Sequence, residues 1–345
     1  MGYAASADVR YLTRAGVEEA RILRNRRPIA ELVADPTTPD TTRARLRLVL
    51  ESRDFAARLG LEAKQTYTAF SDIGRDTLLL VLSAAPRDCI CAVTWWYPVV
   101  GRIPYQGFFD VGMAQRAADA LAAEGRDVHL RPAGAFSTLG WFNDPLLSTA
   151  LYPDSVELAA LVFHEIAHNT LWVPSGVPFN ESYAQYVGYH AAEAFFLARG
   201  DTLLARRAAD RWHDETVLGD YYAALVARLD SLYGLGLDSA AVDSGRAAAS
   251  RWALAQLQGP VGKRFRSYRV GRLTARPINN ARLIGVLLYR SELDLFARWH
   301  ARHGNDVARS VAALSALVEG TRGQDSAFAR LRAALGPVAD ASKSE

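Results

Sequence analysis

The sequence predicts an α+β fold, mainly helical, in which a small sheet in the N-terminal half packs on a helical bundle. Three observations carry that expectation. Apolar residues recur at helical spacing over the early part of the chain, short apolar runs of strand length replace them between Leu78 and Pro132, and from Asp154 onward nearly every segment returns to the helical period.

In chain order, Val9 to Leu23 and Ile29 to Val33 read as helices, and after a Pro36/Pro39 break Thr41 to Leu59 forms a longer helix that Gly60 stops. Leu78 to Leu82, Ile90 to Tyr97 and Val128 to Leu130 read as strands, with a short helix from Val111 to Ala123, ended by Gly125, between the last two. No strand is expected beyond about residue 140. The later helices are separated by Pro174/Gly176, Gly200, Gly234/Gly236, Gly259/Pro260, Gly304 and Gly320/Gly323. The expected organisation is an N-terminal helical segment over 1–75 packed on the core, a core with its C-terminal bundle over 76–335, and a mobile tail over 336–345.

With 345 residues, 50% hydrophobic and 22% charged, the chain can bury a sizeable core without disulfides or a structural metal, so a metal site here would be functional. Lys+Arg 40 against Asp+Glu 37 gives a net charge of +3 with the basic residues scattered, which argues against a nucleic-acid partner. The longest apolar run, Leu78 to Pro86, is far too short for a transmembrane segment. No basic region followed by an apolar stretch opens the chain, so no signal peptide is visible. Cys89 and Cys91 are expected to stay unpaired, because one intervening residue in a strand holds two thiols awkwardly for a bridge.

His164-Glu165-Ile166-Ala167-His168 is an H-E-x-x-H motif within a run that reads as one helix from Asp154 to about Trp172. Asp154 with Glu157 resembles a capping box, and Pro174 marks the stop. Residues four apart turn through about 400°, so the two imidazoles project from one side of the helix, as two ligands of one ion must. Glu165 falls beside them, where a carboxylate can take the proton of an attacking water and return it to a leaving amine.

Glu181, in Asn180-Glu181 at the start of a second helical run, is the candidate third ligand. The connection from Val173 to Phe179 reaches at most about 23 Å, and His168 is roughly 6 Å from its helix end, so the chain can fold back and bring Glu181 to the histidines. A carboxylate in an otherwise apolar helix is costly to bury unless paired or coordinating. His129, His190, His213, His300 and His303 lack such company and read as structural or surface residues.

Phe163-His164-Glu165-Ile166-Ala167-His168 followed by Phe179-Asn180-Glu181-Ser182-Tyr183-Ala184 resembles the gluzincin metallopeptidases, where the Glu of a downstream N-E-x-x-A motif is the third zinc ligand. More narrowly, the chain resembles a bacterial family of predicted zinc aminopeptidases through Tyr97 to Phe109, Phe136 to Ser148 and Asn279-Asn280-Ala281-Arg282-Leu283, a likeness spanning roughly residues 10 to 335. The resemblance implies a zincin-like core, one Zn2+ per chain on His164, His168 and Glu181, and an edge strand that pairs with the substrate main chain, for which Ile90 to Tyr97 is the candidate. It also implies a cell-envelope or periplasmic location if a signal has been removed, and otherwise a cytoplasmic one. Where an acidic residue is expected seven positions after the ligand Glu, this chain has Gly188, and the G-x-M-E-N segment of one large aminopeptidase group is absent.

These readings converge on a zinc-dependent peptidase, an aminopeptidase by resemblance, with a peptide substrate and Glu165 as general base. Tyr289, on the helix expected to begin near Asn279-Asn280, is the candidate oxyanion donor, because Val286, Leu287 and Leu288 would bury its ring beside the cleft. Tyr183 and Tyr186 should point away from the metal face. Two other functions fit the same residues: a noncatalytic metal-containing peptide-binding protein, and a hydrolase of a nonpeptide amide or ester. No pattern in the chain speaks to its oligomeric state.

Overall fold

A computed structural model describes residues 21–97, 101–133, 145–274 and 278–337. Most of the helix expected from Val9 to Leu23, the loop from Phe136 to Asp144 and the tail beyond residue 337 lie outside the described residues.

The described chain starts with β1 (Arg27–Pro28), α1 (Ile29–Ala34) and α2 (Asp40–Arg58). Pro39 precedes α2, and Leu46, Val49, Phe55 and Ala56 fall on its buried face. β2 (Ala69–Ser71) pairs antiparallel with β1. The centre of the main sheet is β3 (Leu79–Ala85).

A separate two-stranded hairpin, β4 (Trp95–Tyr97) with β5 (Gly101–Ile103), follows. The strand expected from Ile90 is therefore confined to its last three residues. Cys89 and Cys91 precede it in irregular backbone and form a disulfide with their Cα atoms 5.2 Å apart, which corrects the expectation of unpaired thiols. That expectation assumed a fully extended strand, and the backbone here is not one.

β6 (Gln106–Phe108) and β7 (Asp127–Ala133) flank β3 antiparallel, and α3 (Val111–Ala123) connects them with the bounds its pattern predicts. Asp110 caps α3, accepting from the Met113 N–H at 2.8 Å. The register sets Val81 opposite both Arg131 and Gly107. Leu80, Leu82, Phe108, Val128 and Leu130 pack on Ala114 and Ala118 of α3, so the opposite face carries Leu79, Val81, Ala133 and Arg131, with Tyr105 packed beside them. β8 (Leu146–Leu147) pairs in parallel with β2, a strand too short to announce itself by any period.

The bundle then follows as α4 (Ser155–Thr170), α5 (Val177–Ala198), α6 (Thr202–Tyr233), α7 (Ser239–Gln258), α8 (Val270–Thr274), α9 (Asn280–Leu287), α10 (Leu293–Arg302), α11 (Val307–Val318) and α12 (Gln324–Leu335). The fold is α+β and mainly helical. The main apolar cluster runs from Ile29 to Leu331 and places α4 at its centre. Phe55 of α2, Phe163 of α4 and Phe195 of α5 meet edge to face, with centroids 6.2, 5.5 and 6.0 Å apart. Each such contact adds about 0.5–1.5 kcal/mol beyond burial, which fixes the rotation of α4 about its axis.

Both ends of α4 are held. Asp154 accepts from the Val156 and Glu157 N–H groups at 2.9 and 3.3 Å, while Thr170 Oγ1 accepts from the Glu62 N–H at 2.9 Å and Asn169 Nδ2 donates to Thr66 Oγ1 at 2.8 Å. The Asn279-Asn280 pair ties α9 to the sheet. Asn279 caps the helix and donates to the Val128 carbonyl at 3.0 Å, and Asn280 Nδ2 donates to the carbonyls of Pro86, Arg87 and Cys89 at 2.9, 3.2 and 3.1 Å.

Candidate active site

α4 and α5 form the centre of the site, joined by the turn from Leu171 to Gly176. Fully buried Asn180 closes that turn. Its Oδ1 accepts from the Val173 N–H and its Nδ2 donates to the Val173 carbonyl, both at 2.9 Å. The Asn of the Asn180-Glu181 pair is thus the clamp that aims the Glu. Glu181 is the fifth residue of α5, slightly deeper in the helix than the first turn its sequence position suggests.

Glu181 lies between the two imidazoles. His164 Nε2 is 3.3 Å from Glu181 Oε2 and His168 Nε2 is 3.7 Å from Glu181 Oε1, with the imidazole centroids 4.9 Å apart. One donor atom from each residue lies within 4.8 Å of the others, the one such metal-competent group among the described residues. Two ligands of a tetrahedral zinc at about 2.0–2.2 Å stand about 3.4 Å apart, so this donor set fits a divalent ion with little adjustment. His168 Nδ1 is buried with no hydrogen-bond partner among the described residues, and the Trp172 ring sits edge-on to His168 at 5.6 Å.

The charges respond to this packing. Burial pulls the His164 pKa down, but the Glu181 carboxylate outweighs it and leaves the imidazole above its usual value. Burial, reinforced by His164, pushes His168 down to about 4. Burial raises Glu181, but His164 and His168 together bring it below the ordinary carboxylate range. The ionised Glu181 and the neutral His168 suit a cation, whereas a cation must displace any proton that His164 carries.

The close approach of α4 and α5 depends on Gly188. A Cβ there would lie 2.9 Å from the Ala160 carbonyl oxygen and 3.5 Å from the Cβ of His164, so no acidic side chain could occupy this position without spreading the helices. Gly188→Ala is expected to cost about 1–3 kcal/mol by overpacking and to weaken metal binding by moving His164 from Glu181. Urea denaturation with a parallel zinc titration measures both effects.

Glu165 is half-buried beside His164, and its charge is felt by Tyr152 and Tyr289. Tyr289 lies in the turn after α9 rather than on that helix, with its ring centroid 6.4 Å from that of His164. Burial, with Glu181 nearby, holds the Tyr289 hydroxyl well above its usual pKa, so it stays a proton donor. Two interactions position the turn: Arg290 Nε pairs with buried Glu215 at 2.6 Å, and the Ser291 N–H donates to Ser182 Oγ at 3.0 Å, next to Glu181. Tyr186 points the other way, as expected, with its hydroxyl 3.0 Å from His300 Nδ1 and 2.6 Å from Ser310 Oγ.

Tyr105 and Arg131 escaped the sequence reading and belong to this site. Burial and the Glu181 charge raise the Tyr105 pKa, and Arg131 bears on Glu181, Tyr105 and Tyr289 alike. The available signal was an Arg one residue past an apolar strand candidate, on the face opposite Val128 and Leu130.

A family model described as "Putative aminopeptidase" matches residues 10–328. The chain belongs to this family. No curated protein and no solved structure matches it. Membership of this family supports a peptidase-type function for the chain. Arg131 of β7 is the sheet residue whose charge helps lower the Glu181 pKa.

Proposed function

We propose that this protein is a zinc-dependent peptidase that acts as an aminopeptidase, with His164, His168 and Glu181 as the zinc ligands. The observation that carries this reading is the convergence of two imidazole nitrogens and one carboxylate within 4.8 Å on adjacent helices, in a chain of the aminopeptidase family. A bound zinc ion supplies Lewis acidity toward a peptide carbonyl and increases the acidity of water. Glu165 accepts the proton of the attacking water and delivers it to the departing amine. Tyr289, kept protonated by burial, donates a hydrogen bond to the oxygen on which negative charge develops.

Metal analysis of the protein combined with turnover of aminoacyl and N-blocked peptide reporters tests the proposal. One zinc per chain and turnover that requires a free amino terminus are expected; turnover of blocked peptides alone would make the enzyme an endopeptidase, and metal-free protein without turnover would end the reading. Tyr289→Phe is expected to keep fold and zinc while lowering kcat about ten- to a thousandfold, the range of one lost oxyanion donor. An unchanged kcat would remove Tyr289 from the mechanism.

A further inference from the structure

Arg131, on β7, is a half-buried cation that forms no ion pair or hydrogen bond among the described residues. Its place follows from the strand register. It stands opposite Val81 on the sheet face that packs with Tyr105, and its charge bears on Glu181 and Tyr289. Glu181 has closer partners in His164 and His168 and makes no ion pair with Arg131. Among the described residues the charge of Arg131 therefore has no ion-pair partner, and the half-buried Tyr105 and Tyr289 lie within range of it.

The backbone next to it is also uncommitted on one side. Pro132 has no N–H, Val128 gives its carbonyl to Asn279, and the carbonyl of Ala84, opposite Val128, accepts from the Val93 N–H at 2.9 Å. These facts make 80/132, 82/130 and 84/128 the pairs of β3 and β7 that do not bond each other, so the Leu130 N–H and carbonyl face the outer edge of β7. Among the described residues no strand covers that edge. A peptide laid there by strand addition would run directly past Arg131.

We propose that Arg131 is a substrate-carboxylate site, which binds a carboxylate of the peptide held in the cleft between β7 and the His164–Glu181 centre. A guanidinium matches a carboxylate with two parallel hydrogen bonds, whereas it repels an ammonium or a basic side chain. The carboxylate comes either from the free C-terminus of a short peptide or from an acidic side chain near the scissile bond. This inference rests on the peptidase reading for its substrate but not for its measurement.

The test uses full-length, zinc-loaded Glu165→Gln protein and calorimetric binding of three probes: Ala-Ala-Ala with a free C-terminus, its C-terminal amide, and the amide of Ala-Ala-Glu. The same peptides are assayed for cleavage by the unsubstituted enzyme. At least one carboxylate-bearing probe is expected to bind about ten- to a hundredfold more tightly than the neutral amide, the range for a charge-assisted bond. The free-acid tripeptide alone gaining identifies the terminal carboxylate, and the Glu amide alone gaining identifies the side chain. Adding Arg131→Gln should erase the preference with zinc content unchanged, and Arg131→Lys should retain part of it. Equal binding of all three probes to protein with Arg131 intact overturns the proposal, as does a preference that survives Arg131→Gln. Loss of zinc in Arg131→Gln without any preference in its presence would make Arg131 a support for Glu181 and likewise overturn it. Carboxylate-selective binding without turnover leaves this site standing and removes the peptidase reading, whereas turnover without selectivity does the reverse.

Discussion

Glu165→Gln is expected to lower turnover by about two to four orders of magnitude while zinc stays near one per chain. The substitution is nearly isosteric, and Glu165 is not one of the three converging donors, so the ligand set is untouched. What disappears is the basicity beside His164, on a helix whose rotation is fixed by the rings of Phe55, Phe163 and Phe195 and whose ends are tied by Asp154 and Thr170. A side chain so placed cannot be replaced by Glu181, the carboxylate among the converging donors, since that group is committed to both imidazoles. Metal analysis and kcat on the same preparation decide the matter. Full activity in Glu165→Gln would exclude it as the base, and a protein that uses its metal only as a clamp would show no turnover to lose.

The parts of this molecule that sequence made legible are those governed by local physics. A helix of sixteen residues bears several apolar turns and its own caps, so α4 could be bounded from Asp154 to near its end. The spacing of His164 and His168 is a property of the helix alone, and their common side follows without tertiary information. Glu181 was legible for a different reason: a buried carboxylate in an apolar run needs a partner, and chain length allowed one. The two- and three-residue strands β1, β2 and β8 have too few positions for a period, and they exist only because the chain brings Phe70 against Leu146. Arg131 was hidden because its meaning lies in register. Only pairing with Val81 turns it toward the site, and a slip of one residue would have turned it toward α3. Gly188 in place of an acidic residue was visible in the sequence, but its reason was not: the helices pack so closely that the Ala160 carbonyl leaves no room for a Cβ. Tyr289 was placed near the site by sequence but on the wrong element, because the turn that aims it depends on distant Glu215 and Ser182.

Glu181→Ala is expected to abolish stoichiometric zinc binding, a loss in kind where Glu165→Gln produces a loss in rate. With the carboxylate gone, two imidazoles on one helix remain, and a structural or catalytic zinc site rests on at least three protein ligands. The vacated space is lined by His164 and His168, neither of which can supply the missing negative charge. Thermal melts with and without added zinc read this directly, because an ion that binds only the folded chain stabilises it by about 2.7 kcal/mol at a hundredfold excess over its dissociation constant. The unsubstituted protein should show that upward shift, and Glu181→Ala should show none at the same zinc concentration while retaining a cooperative melt. Cooperative melting is expected to persist because Asn180, one residue earlier, still clamps the turn through both bonds to Val173. If Glu181 served only to neutralise the histidines, the variant would melt lower without metal yet keep its full zinc-induced shift. Tight, stoichiometric zinc in Glu181→Ala would therefore assign the third ligand elsewhere and leave Glu181 as a partner of His164.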